Sequence, residues 1–121
     1  MADFHELGKK GEQMAADYLE VSGYKILKRN WKFGRHEVDI IAENKDFIVF
    51  AEVKTRTEEL LLPVGEIVNR DKQRSIILCA EKYIEWYNVS KESRFDIITV
   101  IISEAGNKTD HIEDAFYPTL R

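Results

Sequence analysis

Three polar residues, Asp39, Glu52 and Lys54, interrupt the most apolar stretches of this 121-residue chain. Glu52 and Lys54 close the run FIVFAEVK, which is apolar at almost every other position. In an extended strand, alternate side chains point to one face, so these two share a face with Ile48 and Phe50. A carboxylate and an ammonium in a covered strand are costly to desolvate unless they are paired or metal-bound.

The polar turn at residues 43–46 locates the partner of Glu52. If the turn is centred between Lys45 and Asp46, Asp39 lies opposite Glu52, and Glu37 lies opposite Lys54. A slip of one residue would break this pairing.

Facing carboxylates repel each other unless a hard cation lies between them. Mg²⁺ (or Mn²⁺) is held by few carboxylates and keeps waters, which leaves room for a substrate phosphate. Such an ion polarises the phosphoryl oxygen and promotes formation of hydroxide, while Lys54 can stabilise the developing charge or hold the attacking water. The alternative is purely structural: Glu37 pairs with Lys54, and Glu52 pairs with another base.

The surrounding pattern predicts an α/β domain in the order α-β-β-β-α-β-β, with a mixed sheet flanked by helices. A first helix of about four turns is capped by Asp3 and ends near Gly23. The run at 47–55 is apolar on both faces, as expected of a central strand. The strands are expected at 24–30, 36–43, 47–55, 94–102 and 111–116, and a second helix at 65–87.

Length and charge set the protein class. We expect a single domain over residues 1–121. With 22 acidic and 18 basic residues the net charge is −4, which counts against a protein that coats duplex DNA. No acid occurs from residue 21 to 36, where Trp31 and Phe33 lie among basic residues. This stretch either binds a nucleic-acid backbone and stacks a base, or places the aromatic rings in the core. Its basic residues are Lys25, Lys28, Arg29, Lys32 and Arg35.

Cys79 is the one cysteine, which excludes an intramolecular disulfide and a cysteine-rich zinc site. Its apolar neighbours indicate a core thiol, and a reducing cytoplasm is the default location. The N-terminal residues show no secretory signal, and no apolar run is long enough to span a bilayer.

Four segments in order, GKKGEQMAADYLEVSGYKILKRN, HEVDIIA, FAEVKTR and RFDIITV, resemble the YraN-like family of small bacterial proteins. That family is similar to archaeal Holliday-junction resolvases and belongs to the PD-(D/E)XK nuclease superfamily. The resemblance covers residues 7–100 and implies a restriction-endonuclease-like fold and an Mg²⁺-dependent endonuclease. It implies that Asp39 and Glu52 are metal ligands and that Lys54 is the catalytic lysine. Glu12, also an acid, is implied as the fourth member of this set. His36 departs from the family, which usually has glycine there.

Further candidates surround this set. The Val53 carbonyl is a possible additional metal ligand, and Arg56 is either a phosphate contact or a solvated strand end. Lys72 and Gln73 occupy the helix position where superfamily nucleases often orient substrate, although a solvated basic face is the commoner reason for such residues. The triplet Arg94-Phe95-Asp96 is interpreted as a structural ion pair. Lys32 and Arg35 complete the nucleic-acid-binding candidates.

Together these features predict a cytoplasmic endonuclease that hydrolyses DNA phosphodiester bonds, with branched or otherwise non-standard DNA as the expected substrate and no membrane partner. The alternative is a catalytically silent module with the same fold that binds nucleic acid or protein. The apolar residues Leu60, Leu61, Leu62 and Val64 are unusual for a loop. They form either a homodimer surface or a segment that folds back on the core.

Overall fold

The computed structural model describes residues 4–57 and 64–118, with side chains over 5–57 and 66–118. The predicted α-β-β-β-α-β-β order is confirmed, with the second helix divided in two. The elements are α1 (Phe4–Val21), β1 (Lys25–Phe33), β2 (His36–Glu43), β3 (Phe47–Arg56), α2 (Val64–Ile67), α3 (Arg70–Tyr87), β4 (Glu92–Ser103) and β5 (Gly106–Phe116).

Helix α1 ends where the sequence pattern predicts. After Val21 the chain reaches Gly23 at φ 96°, a left-handed conformation that glycine adopts at low cost. The Tyr24 N–H then donates to the Leu19 carbonyl at 2.9 Å, which satisfies one of the last helical acceptors. The predicted Asp3 cap lies outside the described residues.

The prediction of a single second helix over 65–87 is wrong, because the helix is interrupted between α2 and α3. Asn69 is extended and its side chain accepts a hydrogen bond from the Lys72 N–H at 2.9 Å, so it is the N-cap of α3. Asparagine favours such caps over helix interiors, since its side chain competes for nearby backbone groups. Helix α3 therefore starts at Arg70, two residues before Lys72.

The five strands form one sheet in the order β1-β2-β3-β4-β5. Only β3 and β4 are parallel among the described strands, and α2 and α3 form the crossover between them. The central strand β3 is buried from Ile48 to Glu52, as predicted for a strand covered on both faces. The edge strand β5 begins at residue 106 instead of 111, because its first half is polar and exposed and so lacks an apolar signal.

Helices α1 and α3 cover opposite faces of the sheet. Leu19 of α1 packs with Ile40, Val49 and Ile98 in one cluster of buried residues. Cys79 of α3 packs in a separate cluster. The buried Cys79 confirms the predicted core thiol, and burial raises its pKa. No helix in the described ranges is long and apolar enough to cross a membrane.

Candidate functional site

The hairpin between β2 and β3 has the predicted register. Ile40 pairs with Ala51, and Ala42 pairs with Val49. Beyond the Ile40–Ala51 pair, the Asp39 side chain replaces a backbone acceptor: its Oδ2 accepts a hydrogen bond from the Val53 N–H at 2.8 Å. This bond holds the Asp39 carboxylate against β3, beside Glu52.

Glu52 is a buried acid, with 4% of its surface exposed. Burial, the charge of Asp39 and a hydrogen bond shared with Asp39 raise the pKa of Glu52 to about 8, although Lys72 and Lys54 oppose the shift. Two carboxylates in contact resist ionising together, because each charge disfavours the other. In the absence of a cation, Glu52 therefore keeps its proton to a higher pH than an ordinary glutamate does.

Two lysines flank the Glu52 carboxyl group. Lys54 Nζ lies 3.8 Å from Oε2, and Lys72 Nζ lies 3.8 Å from Oε1. Both distances exceed that of a hydrogen bond. Within the described side chains, Glu52 Oε1 is the buried atom that lacks a hydrogen-bond partner. An unsatisfied buried acceptor is costly, so its presence at this point indicates a ligand position.

The donor set fits a hard divalent cation. Asp39 and Glu52 supply carboxylate oxygens, and the orphaned Oε1 of Glu52 would gain a partner on binding. No group of three or more His, Cys, Asp or Glu side chains arranged to hold a metal occurs among residues 5–57 and 66–118. One or two carboxylates, with waters and substrate phosphates, are a usual environment for Mg²⁺.

An open cleft of about 720 Å³ contains this pair. The start of α1, strands β1 and β2, and the end of β3 form its walls. Four acidic and four basic side chains line it, so the acidic pair is surrounded by groups able to contact phosphates. The lining residues are His5, Leu7, Gly8, Lys9, Glu12, Asn30, Lys32, Glu37, Asp39, Glu52, Val53, Lys54, Thr55 and Arg56.

Glu12 lies in the cleft because α1 approaches β3 closely. A Cβ at Gly11 would collide with the Thr55 side chain, so only glycine permits this packing. The Glu12 carboxylate itself is held by β1: Oε1 lies 3.5 Å from Arg29 Nη2, and Oε2 accepts a hydrogen bond from Asn30 Nδ2 at 3.2 Å. Glu12 thus faces the same cleft as Asp39 while paired with other residues.

The remaining candidates divide into two groups. Arg56 and Lys32 line the cleft, and Lys72 contacts Glu52. Gln73 instead donates from Nε2 to the Val68 carbonyl at 2.9 Å and so stabilises the helix break. Arg35 is exposed in the turn between β1 and β2 and is not among the lining residues.

Sequence reasoning missed two features of this site. Asn30 adopts φ 50° within β1, which turns its amide toward Glu12. The available signal was residue type, since asparagine is enriched in this left-handed region. The second is the contact of Lys72 with Glu52, which depends on where α3 crosses the sheet. His36, which stands in place of the family glycine, shares a hydrogen bond of 2.8 Å with Ser75 of α3.

A second buried polar cluster lies on β4 and β5. Arg94 Nη2 is 2.8 Å from Asp96 Oδ2, which confirms the ion pair predicted for this triplet. Burial alone would raise the pKa of Asp96, but hydrogen bonds from His111, Arg94 and the Asp114 N–H lower it. His111 Nε2 lies 2.6 Å from Asp96 Oδ2, and its Nδ1 shares a hydrogen bond with Tyr18 of α1. The cluster connects α1, β4 and β5 and lies apart from the residues that line the cleft.

Comparison with known proteins identifies the family. The protein-family model described as "Uncharacterised protein family UPF0102" matches residues 11–100. The chain belongs to this family. It is similar to a UPF0102 protein of Parabacteroides distasonis, at 42% identity over the whole of both chains. The UPF0102 protein of Christiangramia forsetii is 39% identical, covering 97% of this chain and 98% of its own. That of Porphyromonas gingivalis is 41% identical over 96% and 87%.

Family UPF0102 is the YraN-like group that the four motifs predict, and that prediction is confirmed. The matched range includes Glu12, Asp39, Glu52, Lys54 and Lys72. The relatives named here are bacterial proteins.

Proposed function

We propose that this protein is a metal-dependent endonuclease that hydrolyses DNA phosphodiester bonds in the bacterial cytoplasm, using Mg²⁺ or Mn²⁺. The buried, unpartnered Glu52 Oε1 beside Asp39 carries the proposal. Burying the Glu52 carboxylate against a second acid costs about several kcal/mol unless a cation offsets that cost. The lysines around the pair suit an anionic substrate.

Each group has a distinct role. Asp39, fixed by the Val53 N–H, and Glu52 would hold the cation, with the Val53 carbonyl as a further ligand. A cation held there would supply polarisation of a phosphoryl oxygen and a more acidic water. Lys54 positions the attacking water and stabilises charge that develops on the phosphate. Arg56 and Lys32 bind neighbouring phosphates along the cleft.

Cleavage of a panel of labelled DNAs tests the proposal. The panel contains four-way junctions, flaps, single strands and blunt duplexes, each incubated with Mg²⁺, Mn²⁺ or EDTA. We expect cleavage that requires metal and falls by at least about a hundredfold in Asp39→Asn and Lys54→Ala, because each removes a group needed at the reacting phosphate. Asp46→Asn, in the β2–β3 turn, is the control. Unchanged cleavage by purified Asp39→Asn protein would reject the assignment.

Calorimetric titration with Mn²⁺ separates an enzyme from a silent module. The parent is expected to bind the ion and Glu52→Gln to lose most of that binding, since the amide cannot supply the charge. The second candidate, a nucleic-acid-binding module, is favoured by the pairing of Glu12 with Arg29 rather than with the acidic pair. DNA binding without any metal binding or cleavage would support it. The homodimer surface proposed for residues 60–64 falls on side chains outside the described ones.

A further inference from the structure

Large aromatic side chains are exposed at the end of α3, on the sheet face opposite α1. Trp86 is 58% exposed and Tyr87 is 50% exposed. They lie against the edge strand β1, in the region where the sequence has aromatic and basic residues but no acids. We define the aromatic surface as Lys28, Trp31, Phe33, Lys82, Trp86 and Tyr87.

The rings of the aromatic surface hold each other in place. The Trp86 ring centroid lies 5.8 Å from that of Trp31 and 5.5 Å from that of Phe33, both edge to face. Tyr87 stacks on Tyr83 with centroids 4.4 Å apart. Trp31 and Phe33 also pack on the core as partly buried residues, which confirms in part the core interpretation of this stretch. Rings fixed in this way lose little conformational freedom when a ligand stacks on them.

Cationic groups lie beside these rings. Lys28 Nζ is 5.6 Å from the Tyr87 ring centroid, and Lys82 Nζ is 5.6 Å from that of Phe33. Two acids, Glu81 and Glu85, lie near Lys82 on α3, and Glu85 Oε1 is 3.8 Å from Lys82 Nζ. An exposed indole ring with ammonium groups nearby suits a nucleic-acid strand, which offers both bases and phosphates. In a duplex the bases are stacked on one another, so only an unpaired segment offers them to such rings.

We propose that the aromatic surface binds an unpaired, single-stranded segment of DNA, with a base stacking on Trp86 and phosphates contacting the lysines of this surface. The proposal rests on the proposed function and specifies its substrate: DNA that carries a single-stranded segment next to the cleaved bond.

The aromatic surface and the cleft share β1, and α3 reaches the acidic pair through Lys72. Asn30 and Lys32 of β1 line the cleft, while Trp31, between them, packs against α3. Lys72, which contacts Glu52, and Trp86 lie on the same helix, about 21 Å apart along its axis. A strand that reaches both points therefore spans several nucleotides, which matches a junction, flap or overhang better than a single unstacked base.

Fluorescence anisotropy with a short labelled deoxythymidine oligonucleotide tests the surface in EDTA, where cleavage cannot interfere. We expect the parent to bind the single strand and Trp86→Ala to bind about tenfold more weakly, the usual loss for one stacked base. Trp86→Phe keeps a ring and is expected to retain most of the affinity. Lys28→Gln is expected to lower the salt dependence by about one ion.

Tyr117→Ala is the matched control, because Tyr117 is 66% exposed and follows β5 at the far edge of the sheet. It is expected to bind as the parent does. Far-UV circular dichroism checks that each variant is folded. A blunt duplex of equal length is expected to bind equally well to the parent and to Trp86→Ala.

Unchanged single-strand affinity in Trp86→Ala, or an equal loss in Tyr117→Ala, overturns this inference. Tighter binding of the matching RNA overturns the choice of DNA. If Trp86→Ala instead abolishes self-association in light scattering and leaves single-strand affinity intact, the surface contacts a second copy and the inference is wrong. Single-strand binding through Trp86 without metal-dependent cleavage supports the inference and rejects the proposed function, so the two failures are distinguishable.

Discussion

At the residue scale, the surroundings of the Glu52 carboxyl group determine what kind of partner this site needs. Its carboxyl group is buried and touches a second acid, and these neighbours raise its pKa to about 8. The same two features support the proposed cation site, because a divalent ion bound there would remove both the repulsion and the unsatisfied oxygen. Lys54 and Lys72 compensate only in part, each at 3.8 Å.

The raised pKa of Glu52 predicts how stability depends on pH in the metal-free protein. The folded protein keeps a proton on Glu52 that the unfolded chain releases above about pH 4.5. Stability contributed by this group is therefore complete below that pH and declines as the pH rises toward about 8. The loss is on the order of a few kcal/mol.

Glu52→Gln removes the group that titrates. Between pH 5 and 8, the free energy of unfolding of this variant is therefore expected to fall less than that of the parent, as measured by urea unfolding in EDTA. Glu20→Gln, an exposed change on α1, is the control and is expected to follow the parent. A parent whose stability rises steadily over this range would contradict the protonated state of Glu52.

At the element scale, the approach of α1 to β3 positions one wall of the cleft. Gly11 faces Thr55 with no room for a Cβ, and this contact places Glu12 beside the β1 residues that hold it. Closely packed glycines of this kind set the distance between two elements. The interruption between α2 and α3 positions a side chain at the acidic pair, since the Asn69 cap starts α3 where Lys72 reaches Glu52.

Gly11→Ala is expected to lower the free energy of unfolding by about 1–3 kcal/mol, because the added methyl group must displace Thr55 or move α1. Gly8→Ala is the matched control on the same helix: no atom lies within 4 Å of its Cβ position. It is expected to be neutral or stabilising, since alanine favours the helix. The double variant Gly11→Ala, Thr55→Ala should recover part of the loss. Equal stability of the two single variants in urea unfolding would refute the close approach.

At the scale of the whole molecule, the Asp96 cluster connects α1, the start of β1 and the edge strand β5 to β4. Asp96 is fully buried and is bound by Arg94, His111 and the Asp114 N–H. Through Tyr18 and Tyr24 the cluster reaches the end of α1 and the start of β1. Its position on β4, one strand from β3, supports the sheet on which the acidic pair lies.

Asp96→Asn is expected to cost about 3–5 kcal/mol, the usual effect of removing one partner from a buried ion pair. Because its pKa is lowered in the folded protein, Asp96 contributes stability above its unfolded pKa of about 3.8, which is lost as the pH falls further. The variant should therefore be less sensitive to acid than the parent. Asp110→Asn, an exposed change on β5, is the control in thermal unfolding. A similar small loss in both variants would show that the cluster contributes little.

The sequence alone determined the parts of this protein that depend on local pattern. Apolar periodicity located the helices and strands, and alternation along β3 placed Glu52 and Lys54 on one face. The short turn fixed the register of β2 and β3, and with it the meeting of Asp39 and Glu52. Element ends were predicted less well where polar edge strands or the Asn69 cap carried no apolar signal.

Only the tertiary structure decided which distant side chains complete the site. Lys72 reaches Glu52, Asn30 reaches Glu12, and Trp86 covers Trp31. Lys72 and Trp86 lie on α3, far along the chain from the strands they contact, and Glu12 and Asn30 are 18 residues apart, so no local spacing encodes these contacts. These positions depend on how the helices cross the sheet, and that angle results from the packing of many side chains at once.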